Sequence, residues 1–153
     1  MDTIARPQGC TNFRLRHLGR LVGRQYDAEL AHCGLKTTQY SLLTAVMHLG
    51  PVRPGELAQE MGLDASTLTR NLRPLVEAGW VAQGVGDDAR SRSISITAEG
   101  LAKRAEAQRL WRRAQEKLNA TLGVERVAAL HALLDQSVEL LQAEGSAEGA
   151  IDG

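Results

Sequence analysis

Apolar residues recur every three or four positions along much of the chain, a spacing that predicts amphipathic helices. The first predicted helix covers residues 11 to about 32 and ends at Gly34. The second lies within residues 35–50, and either Thr37 or Thr38 is placed to cap its start. Each helix carries one apolar stripe, so each is expected to pack against a core.

A helix-turn-helix pattern follows. Pro54 suits the first turn of a helix that ends near Gly62, and Asp64 is placed to cap a second helix that reaches Gly79. Two helices joined by a short glycine-containing turn form the motif whose second helix enters the DNA major groove. Pro74 removes one hydrogen bond from the second helix, which we therefore expect to be kinked.

The second helix of this pair has two contrasting faces. Its inward stripe consists of Leu68, Leu72, Leu75 and Val76. Its outward side chains are Ser66, Thr67, Thr69, Arg70 and Arg73. No carboxylate stands on this face before Glu77. A solvated helix face normally mixes both signs of charge, whereas this face offers hydrogen-bond donors and positive charge. We therefore predict that it contacts the phosphates and base edges of DNA.

The hydrophobic period changes after Gly79 from helical to alternating. Residues 80–83 predict a short strand, and residues 91–97 alternate, with Ile94 and Ile96 on one face. The segment between the two strands is rich in glycine and aspartate, which predicts a turn. A hairpin directly behind a helix-turn-helix is typical of the wing in a winged-helix domain.

The loop of this wing carries three charged side chains: Asp88, Arg90 and Arg92. An arginine at the tip of a hairpin is well shaped to enter a narrow minor groove, where the negative potential is strongest. Asp88 is placed to orient such an arginine by a salt bridge. The alternative is a solvated turn with no role in binding.

Two long helices complete the pattern. Thr97 is placed to cap the first, which runs to about residue 121, and Gly123 separates it from the last helix, residues 124 to about 143. A small winged module cannot cover the apolar stripes of these helices and of the first helix. Pairing with a second copy of the chain is therefore expected, and a two-fold dimer would present two recognition helices about one DNA turn apart.

The predicted fold is mainly α with a small β-hairpin wing, a winged helix-turn-helix flanked by N- and C-terminal dimerisation helices. The predicted domains are an N-terminal arm and dimerisation helix (1–34), the winged helix-turn-helix (35–100), the C-terminal dimerisation helices (101–143) and a disordered tail (144–153). The tail is assigned as disordered because its composition offers little apolar surface to bury.

Composition narrows the class of protein. The 153 residues are 43% apolar, which is ordinary for a globular protein, and their formal net charge is zero. Any DNA binding must therefore come from the local placement of arginine. No apolar run approaches the roughly 20 residues that span a membrane, and the N-terminus lacks a signal-peptide core. We therefore expect a cytoplasmic protein without a membrane partner.

The segment ELAQEMGLDASTLTRNLRPLVEAGWV, followed by DDARSRSISITAEG, resembles the MarR family of bacterial transcriptional regulators. The resemblance extends from about Cys10 to Leu141, and its more specific parts are the D-x-R-x-R of the wing and the T-x-E-G behind it. It implies a homodimer that binds a pseudo-palindromic operator in double-stranded DNA, usually as a repressor, until a small molecule or an oxidant releases it. It also implies that the recognition-helix contacts fall on the five outward side chains and the wing contact on Arg90.

The sequence offers two kinds of switch. Cys10 lies just before the first helix and near several arginines, and both a helix N-terminus and positive charge favour the reactive thiolate. Alternatively, the resemblance implies a ligand pocket between the dimer helices and the winged module, with Arg14, His17 and Trp111 as candidate lining residues. An inert thiol and simple packing or surface roles remain the alternatives for these four. Cys33 is expected to be a packing residue.

Other functional classes fit the sequence less well. We find no glycine-rich phosphate loop, no G-x-S-x-G and no Cys-His-Asn constellation, so the chain is predicted not to be an enzyme. The four histidines lack metal-site spacing, and neither a metal nor a cofactor is predicted. A winged-helix module for protein interaction without DNA binding is the main alternative. The arginines of the recognition helix and the wing argue against it, because protein interfaces favour apolar anchors.

Overall fold

The helices and the hairpin follow one another in the order that the hydrophobic pattern predicts. The computed structural model describes residues 5–85 and 92–149. Its helices are α1 Thr11–Leu30, α2 Thr37–Leu49, α3 Pro54–Met61, α4 Ala65–Glu77, α5 Ala98–Leu122 and α6 Val124–Gly149, and a short 3₁₀ turn, Ala31–Cys33, follows α1. Its strands are β1 Val81–Val85 and β2 Arg92–Ile96. Along the chain this is a helix-turn-helix followed by a hairpin, with long helices before and after this module.

One core holds the helix-turn-helix together. The large aliphatic side chains that are fully buried come from the chain between α1 and β2: Leu30, Leu35, Leu42, Leu43, Val46, Leu57, Leu68, Leu75 and Ile94. Burying one such side chain contributes roughly 1.5–3 kcal/mol of hydrophobic free energy. Short helices such as α3 are marginal alone, so this packing, rather than helical propensity, stabilises them.

The hairpin is tied to the core through its second strand. β1 and β2 pair antiparallel, with Val81 opposite Ile96. Ile94 is fully buried and Ile96 packs against the core, as the alternating pattern predicts. Val52, before α3, exchanges two backbone hydrogen bonds with Ile94, of 3.0 and 2.8 Å. This short backbone pairing, which resembles a third strand, therefore holds the wing at its base.

The cap of α2 differs from the prediction. Neither Thr37 nor Thr38 caps this helix, because both are already helical and the N-cap residue is Lys36. The backbone N–H and the hydroxyl of Thr37 both donate to Asp27 Oδ1 of α1, each at 2.7 Å. A carboxylate ten residues earlier in the chain thus accepts from the first backbone N–H of α2, which would otherwise lack a partner in the helix. The local sequence does not reveal this role.

The disordered tail predicted for residues 144–153 is wrong for residues 144–149, which continue α6 to Gly149. This segment contains no proline, and Gly145 costs a helix only about 1 kcal/mol relative to alanine. The Ser146 hydroxyl donates to the carbonyl oxygen of Gln142 at 3.0 Å, inside the regular helix. Residues 150–153 lie outside the described residues.

The chain forms two compact units, Met1–Ala114 and Gln115–Gly153. In the second unit, Leu118 and Val127 are buried, whereas most of α6 is exposed. The exposed large apolar side chains of α6 are Val124, Leu133, Leu134, Val138, Leu140 and Leu141. Within the described ranges, no helix is long and apolar enough to cross a membrane. The domain boundaries themselves stay a prediction.

Candidate nucleic-acid interface

The helix α4, which we call the recognition helix, begins at Asp64, whose carboxylate caps it as predicted. Asp64 Oδ1 accepts from the backbone N–H of Thr67 at 2.7 Å and from the hydroxyl of Ser66 at 2.8 Å. The bond from the Thr67 N–H does most to hold the pKa of Asp64 below its usual value, followed by the hydroxyls of Ser66 and Thr67 and by the charge of Arg70. The carboxylate is therefore ionised at neutral pH and fixes the first turn.

The inward face of the recognition helix is the predicted one. Leu68, Leu72 and Leu75 are buried, and Val76 packs against the core while remaining partly exposed. The helix continues through Pro74 to its last residue, so the apolar stripe is not interrupted. Because this stripe is fixed by the core, it also fixes which side chains of the helix face away from the protein.

The hydroxyl groups of Ser66 and Thr69 donate within the protein, so toward a ligand they are left as acceptors rather than the donors that the sequence suggested. Ser66 and Thr69 are exposed, and Thr67 is half-buried. The Ser66 hydroxyl donates to Asp64, and the Thr69 hydroxyl donates to the carbonyl oxygen of Ala65 at 2.9 Å. Each hydroxyl uses its single proton inside the helix, so its oxygen can accept from a ligand. The amino groups of adenine and cytosine in the major groove are matching donors.

The guanidinium groups supply the donors of this face. Arg70 and Arg73 are both exposed. Arg73 Nε lies 3.3 Å from Glu77 Oε1, and the two side chains are 81% and 69% exposed. An exposed pair one helical turn apart contributes about 0.3–0.5 kcal/mol. Because this pair contributes so little free energy, a phosphate or a base edge can replace Glu77 as the partner of Arg73.

One of the three predicted wing residues can be placed. Arg92 is the first residue of β2, is exposed and pairs with Val85 across the hairpin. Asp88 and Arg90 lie outside the described residues. Their contact with a minor groove stays a prediction.

Three of the predicted switch residues share one groove on α1. Cys10, Arg14 and His17 line an open groove of about 470 Å³. Cys10 is exposed and caps α1, since its Sγ accepts from the backbone N–H of Phe13 at 3.5 Å. The rings of Phe13 and His17 lie 6.0 Å apart, centroid to centroid. A thiol, a guanidinium and an imidazole are thus brought to one surface.

Trp111 does not line that groove. Its ring stacks against Tyr40, with centroids 6.2 Å apart and planes 27° from parallel. It lines a second cavity of about 540 Å³, which is open to solvent and is bounded by α2, the end of α3 and α5. In the wall of this cavity, Arg104 donates to Thr44 Oγ1 at 3.3 Å, and its guanidinium lies 5.9 Å from the centroid of the Tyr40 ring.

The sequence analysis identified neither Tyr40 nor Arg104 as a lining residue. Tyr40 is buried in the core, and its ring also borders the second cavity. A signal was present in the spacing of α5, since Arg104, Gln108 and Trp111 fall at i, i+4 and i+7 and share one face. The partner face on α2 could not be identified from spacing alone.

Among the described residues, the remaining candidate groups do not form a further site. Cys33 is buried, and its thiol donates to the carbonyl oxygen of Leu30 at 3.2 Å, which agrees with a packing role. In the part of the chain that the structure describes, no three or more His, Cys, Asp or Glu side chains are grouped so that they could hold a metal ion.

Comparison with known proteins gives concordant matches. The sequence model of the MarR family matches residues 34–91. An uncharacterized HTH-type transcriptional regulator of Bacillus subtilis, YwoH, is 29% identical over 86 residues. The aligned part is 56% of this chain and 63% of that protein, so the chain matches less than two thirds of its curated relative.

Two solved structures extend the match to most of the chain. The M. tuberculosis transcriptional regulator MosR, crystallised in complex with DNA, is 36% identical with a TM-score of 0.73, over 87% of this chain and 98% of that chain. A mutant of E. coli MarR, crystallised with operator DNA, is 26% identical with a TM-score of 0.74, over 81% and 91%. These structures confirm the predicted fold class, mainly helical with a hairpin wing.

Proposed function

Because this chain belongs to the MarR family of transcriptional regulators, we propose that it binds a pseudo-palindromic operator in double-stranded DNA as a homodimer and represses transcription until an effector releases it. The family is one of regulators, so the prediction that the chain is not an enzyme is confirmed. Two relatives were crystallised with DNA, which supports the same ligand here. The proposed place of action is the cytoplasm.

The outward face of the recognition helix carries the proposal. Acceptor oxygens of Ser66 and Thr69 lie near its start, and the guanidiniums of Arg70 and Arg73 follow within one turn. The opposite face is fixed in the core, so the helix can enter a groove without losing its packing. The DNA major groove is about 12 Å wide and admits a helix with its side chains.

The proposed homodimer is supported by the apolar stripe of α6. Val127 is buried, but further along the same stripe Leu134, Val138 and Leu141 are 38%, 53% and 68% exposed. Spacings of three and four residues are typical of a seam between two helices. Large apolar surface that is left exposed marks an interaction site. A second copy of α6 presents the same stripe and is the occupant that we propose.

DNA binding is tested by fluorescence anisotropy with the duplex immediately upstream of the protein's own coding region. The wild-type affinity is expected to fall at least about tenfold between about 50 and 200 mM salt, because several phosphate contacts release counterions. Arg70→Ala is expected to weaken binding by about 1–3 kcal/mol, the usual effect of losing a specific arginine contact.

Arg126→Ala is the matched control, since Arg126 is exposed on α6 and donates to the carbonyl oxygen of Leu122 in its own chain at 3.0 Å. This variant removes the same charge from a different helix, and it is expected to bind DNA like wild type. Affinity that does not depend on salt, or equal losses in Arg70→Ala and Arg126→Ala, would contradict the proposal and favour the protein-interaction module.

We assign the effector to the cavity lined by Tyr40, Thr44, Arg104 and Trp111, which we call the α2–α5 cavity. Its volume lies within the range of about 300–1,000 Å³ that small-molecule sites occupy. The stacked aromatic rings offer an apolar wall, and the Arg104 guanidinium can pair with a carboxylate or phenolate. A small planar aromatic anion fits this combination.

Oxidation of Cys10 is the second candidate for the switch, favoured by the exposed thiol at the N-cap of α1. Hydrogen peroxide would transfer one oxygen to the sulfur, forming a sulfenic acid, while the peroxide is reduced to water. The added polar group would sit in the α1 groove beside Arg14 and His17.

The two switches are separated by titrating the operator complex with aromatic carboxylates and, separately, with peroxide. If the α2–α5 cavity is the effector site, the ligand is expected to release DNA from wild type, and Arg104→Gln is expected to raise the required concentration roughly tenfold or more, since a hydrogen bond to a charged group contributes about 1.5–3 kcal/mol. Release by peroxide that is lost in Cys10→Ser and reversed by a reductant would instead make the thiol the sensor. The Cys10→Ser variant serves as control for the ligand titration.

A further inference from the structure

The residues that follow the recognition helix are held by Thr97, the residue just before α5. The hydroxyl of Thr97 donates to the carbonyl oxygen of Gly79 at 2.6 Å and accepts from the backbone N–H of Gly100 at 3.0 Å. The backbone N–H of Thr97 donates to the carbonyl oxygen of Trp80 at 3.0 Å. One residue therefore caps α5 and binds two of the three residues that connect α4 to β1.

The first turns of α5 make two more contacts with Trp80. A Cβ atom built at Gly100 would overlap the carbonyl oxygen of Trp80 and would lie 2.8 Å from Ile96 Cγ1, so the two backbones are in direct contact. One turn later, the ammonium of Lys103 lies 5.4 Å from the centroid of the Trp80 ring, a cation–π geometry. Threonine, glycine and lysine thus hold the same short segment from one side.

The same segment is bonded back to the last turn of the recognition helix. The backbone N–H of Trp80 donates to the carbonyl oxygen of Leu75, and that of Gly79 donates to Val76, each at 3.0 Å. Hydrogen bonds therefore run without a gap from the end of α4 through Gly79 and Trp80 to Thr97. A rotation of α5 at this end must either move the recognition helix or break these bonds.

We propose that Thr97 is a positioning residue that fixes the direction of the recognition helix relative to α5 and so sets the spacing of the two recognition helices in the dimer. This inference rests on the proposed function, because that spacing matters only to a dimer that binds two half-sites. In this proposal the T-x-E-G sequence does more than cap a helix, because its threonine and glycine, Thr97 and Gly100, also hold the end of the recognition helix.

The test compares Thr97→Val, which keeps the side-chain shape but lacks the hydroxyl, with Thr97→Ser, which keeps the hydroxyl. The probes are a duplex selected from random sequence by the wild-type protein and the same duplex with one half-site scrambled. Thr97→Val is expected to bind the intact duplex roughly tenfold more weakly than wild type, because its two recognition helices can no longer contact both half-sites of the duplex at once. It is expected to bind the scrambled duplex like wild type, and Thr97→Ser is expected to restore binding to the intact one.

A second measurement reads the helix direction without DNA. Nitroxide labels attached through Ala78→Cys, at the exposed end of α4, in a Cys10→Ser background report the distance between the two recognition helices of the dimer. Thr97→Val is expected to broaden the distance distribution, whereas Thr97→Ser is expected to keep it narrow. If Thr97→Val does not fold, Lys103→Gln is the milder variant and is expected to broaden the distribution to a smaller degree.

Two results would overturn the proposal: an unchanged distance distribution in the folded variants, or equal weakening on the intact and the scrambled duplex, which would mean a general structural defect. If selection from random sequence yields no duplex that the wild-type protein binds in a salt-dependent manner, the proposed function fails. The label distances then still decide separately whether Thr97 fixes the direction of the helix.

Discussion

The double variant Leu134→Glu, Leu141→Glu is expected to be monomeric and to bind the operator roughly a hundredfold or more weakly than wild type, because a monomer loses the linked second half-site. Both leucines lie on the apolar stripe of α6, and they are 38% and 68% exposed in the single chain. A second copy would bury them, and burying an unpaired carboxylate costs several kcal/mol. Sedimentation equilibrium gives the oligomeric state, and anisotropy gives the operator affinity.

The matched control is Gln136→Glu, Ala143→Glu, which adds the same charge to the same helix. Both positions are exposed and lie on the far side of α6 from the stripe. This variant is expected to remain dimeric and to bind the operator. A dimeric Leu134→Glu, Leu141→Glu variant would mean that α6 does not form the seam, and the dimer proposal would have to move to another surface.

Gly100→Ala is expected to lower the free energy of unfolding by about 2–3 kcal/mol, in the upper part of the range for inserting a methyl group into a packed site. The new Cβ would overlap the carbonyl oxygen of Trp80, and its next neighbour is Ile96 Cγ1 at 2.8 Å. The principal obstacle is backbone, so the start of α5 has to move away from the core. Alanine favours a helix over glycine by about 1 kcal/mol, which offsets only part of this cost.

Urea unfolding of Gly100→Ala is compared with that of Gly145→Ala, a second glycine inside a helix. Nothing lies within 4 Å of a Cβ at Gly145, so this control is expected to keep or slightly raise the stability. Equal stability of Gly100→Ala and wild type would show that α5 and Trp80 are not in the contact on which the Thr97 inference also depends.

The recognition helix could be predicted from residues that are close together in sequence. Asp64 bonds to the N–H three residues later, and the stripe of Leu68, Leu72 and Leu75 repeats at helical spacing. Thr97 was predicted as a cap by the same local logic and accepts from Gly100 three residues later. The caps and the apolar stripe depend on neighbours within one or two turns, which the pattern of the chain displays directly.

The candidate sites away from α4 were less predictable, because they join distant parts of the chain. Arg104 meets Thr44 across 60 residues, and Trp111 stacks on Tyr40 rather than lining the groove of Arg14 and His17. Periodicity gives the face on which each residue lies, but it does not say which helix lies opposite. The contacts of the predicted wing residues Asp88 and Arg90 stay predictions.

The sequence by itself determined the order of the helices, the hairpin and the two faces of the recognition helix, because spacing and caps act over a few residues. Only the tertiary structure decided that Asp27 accepts from the first N–H of α2, that the α2–α5 cavity exists, and that Thr97 bonds to Gly79 across 18 residues. These features arise when the apolar stripes pack into one core. Packing brings polar groups together from elements whose relative placement no local pattern encodes.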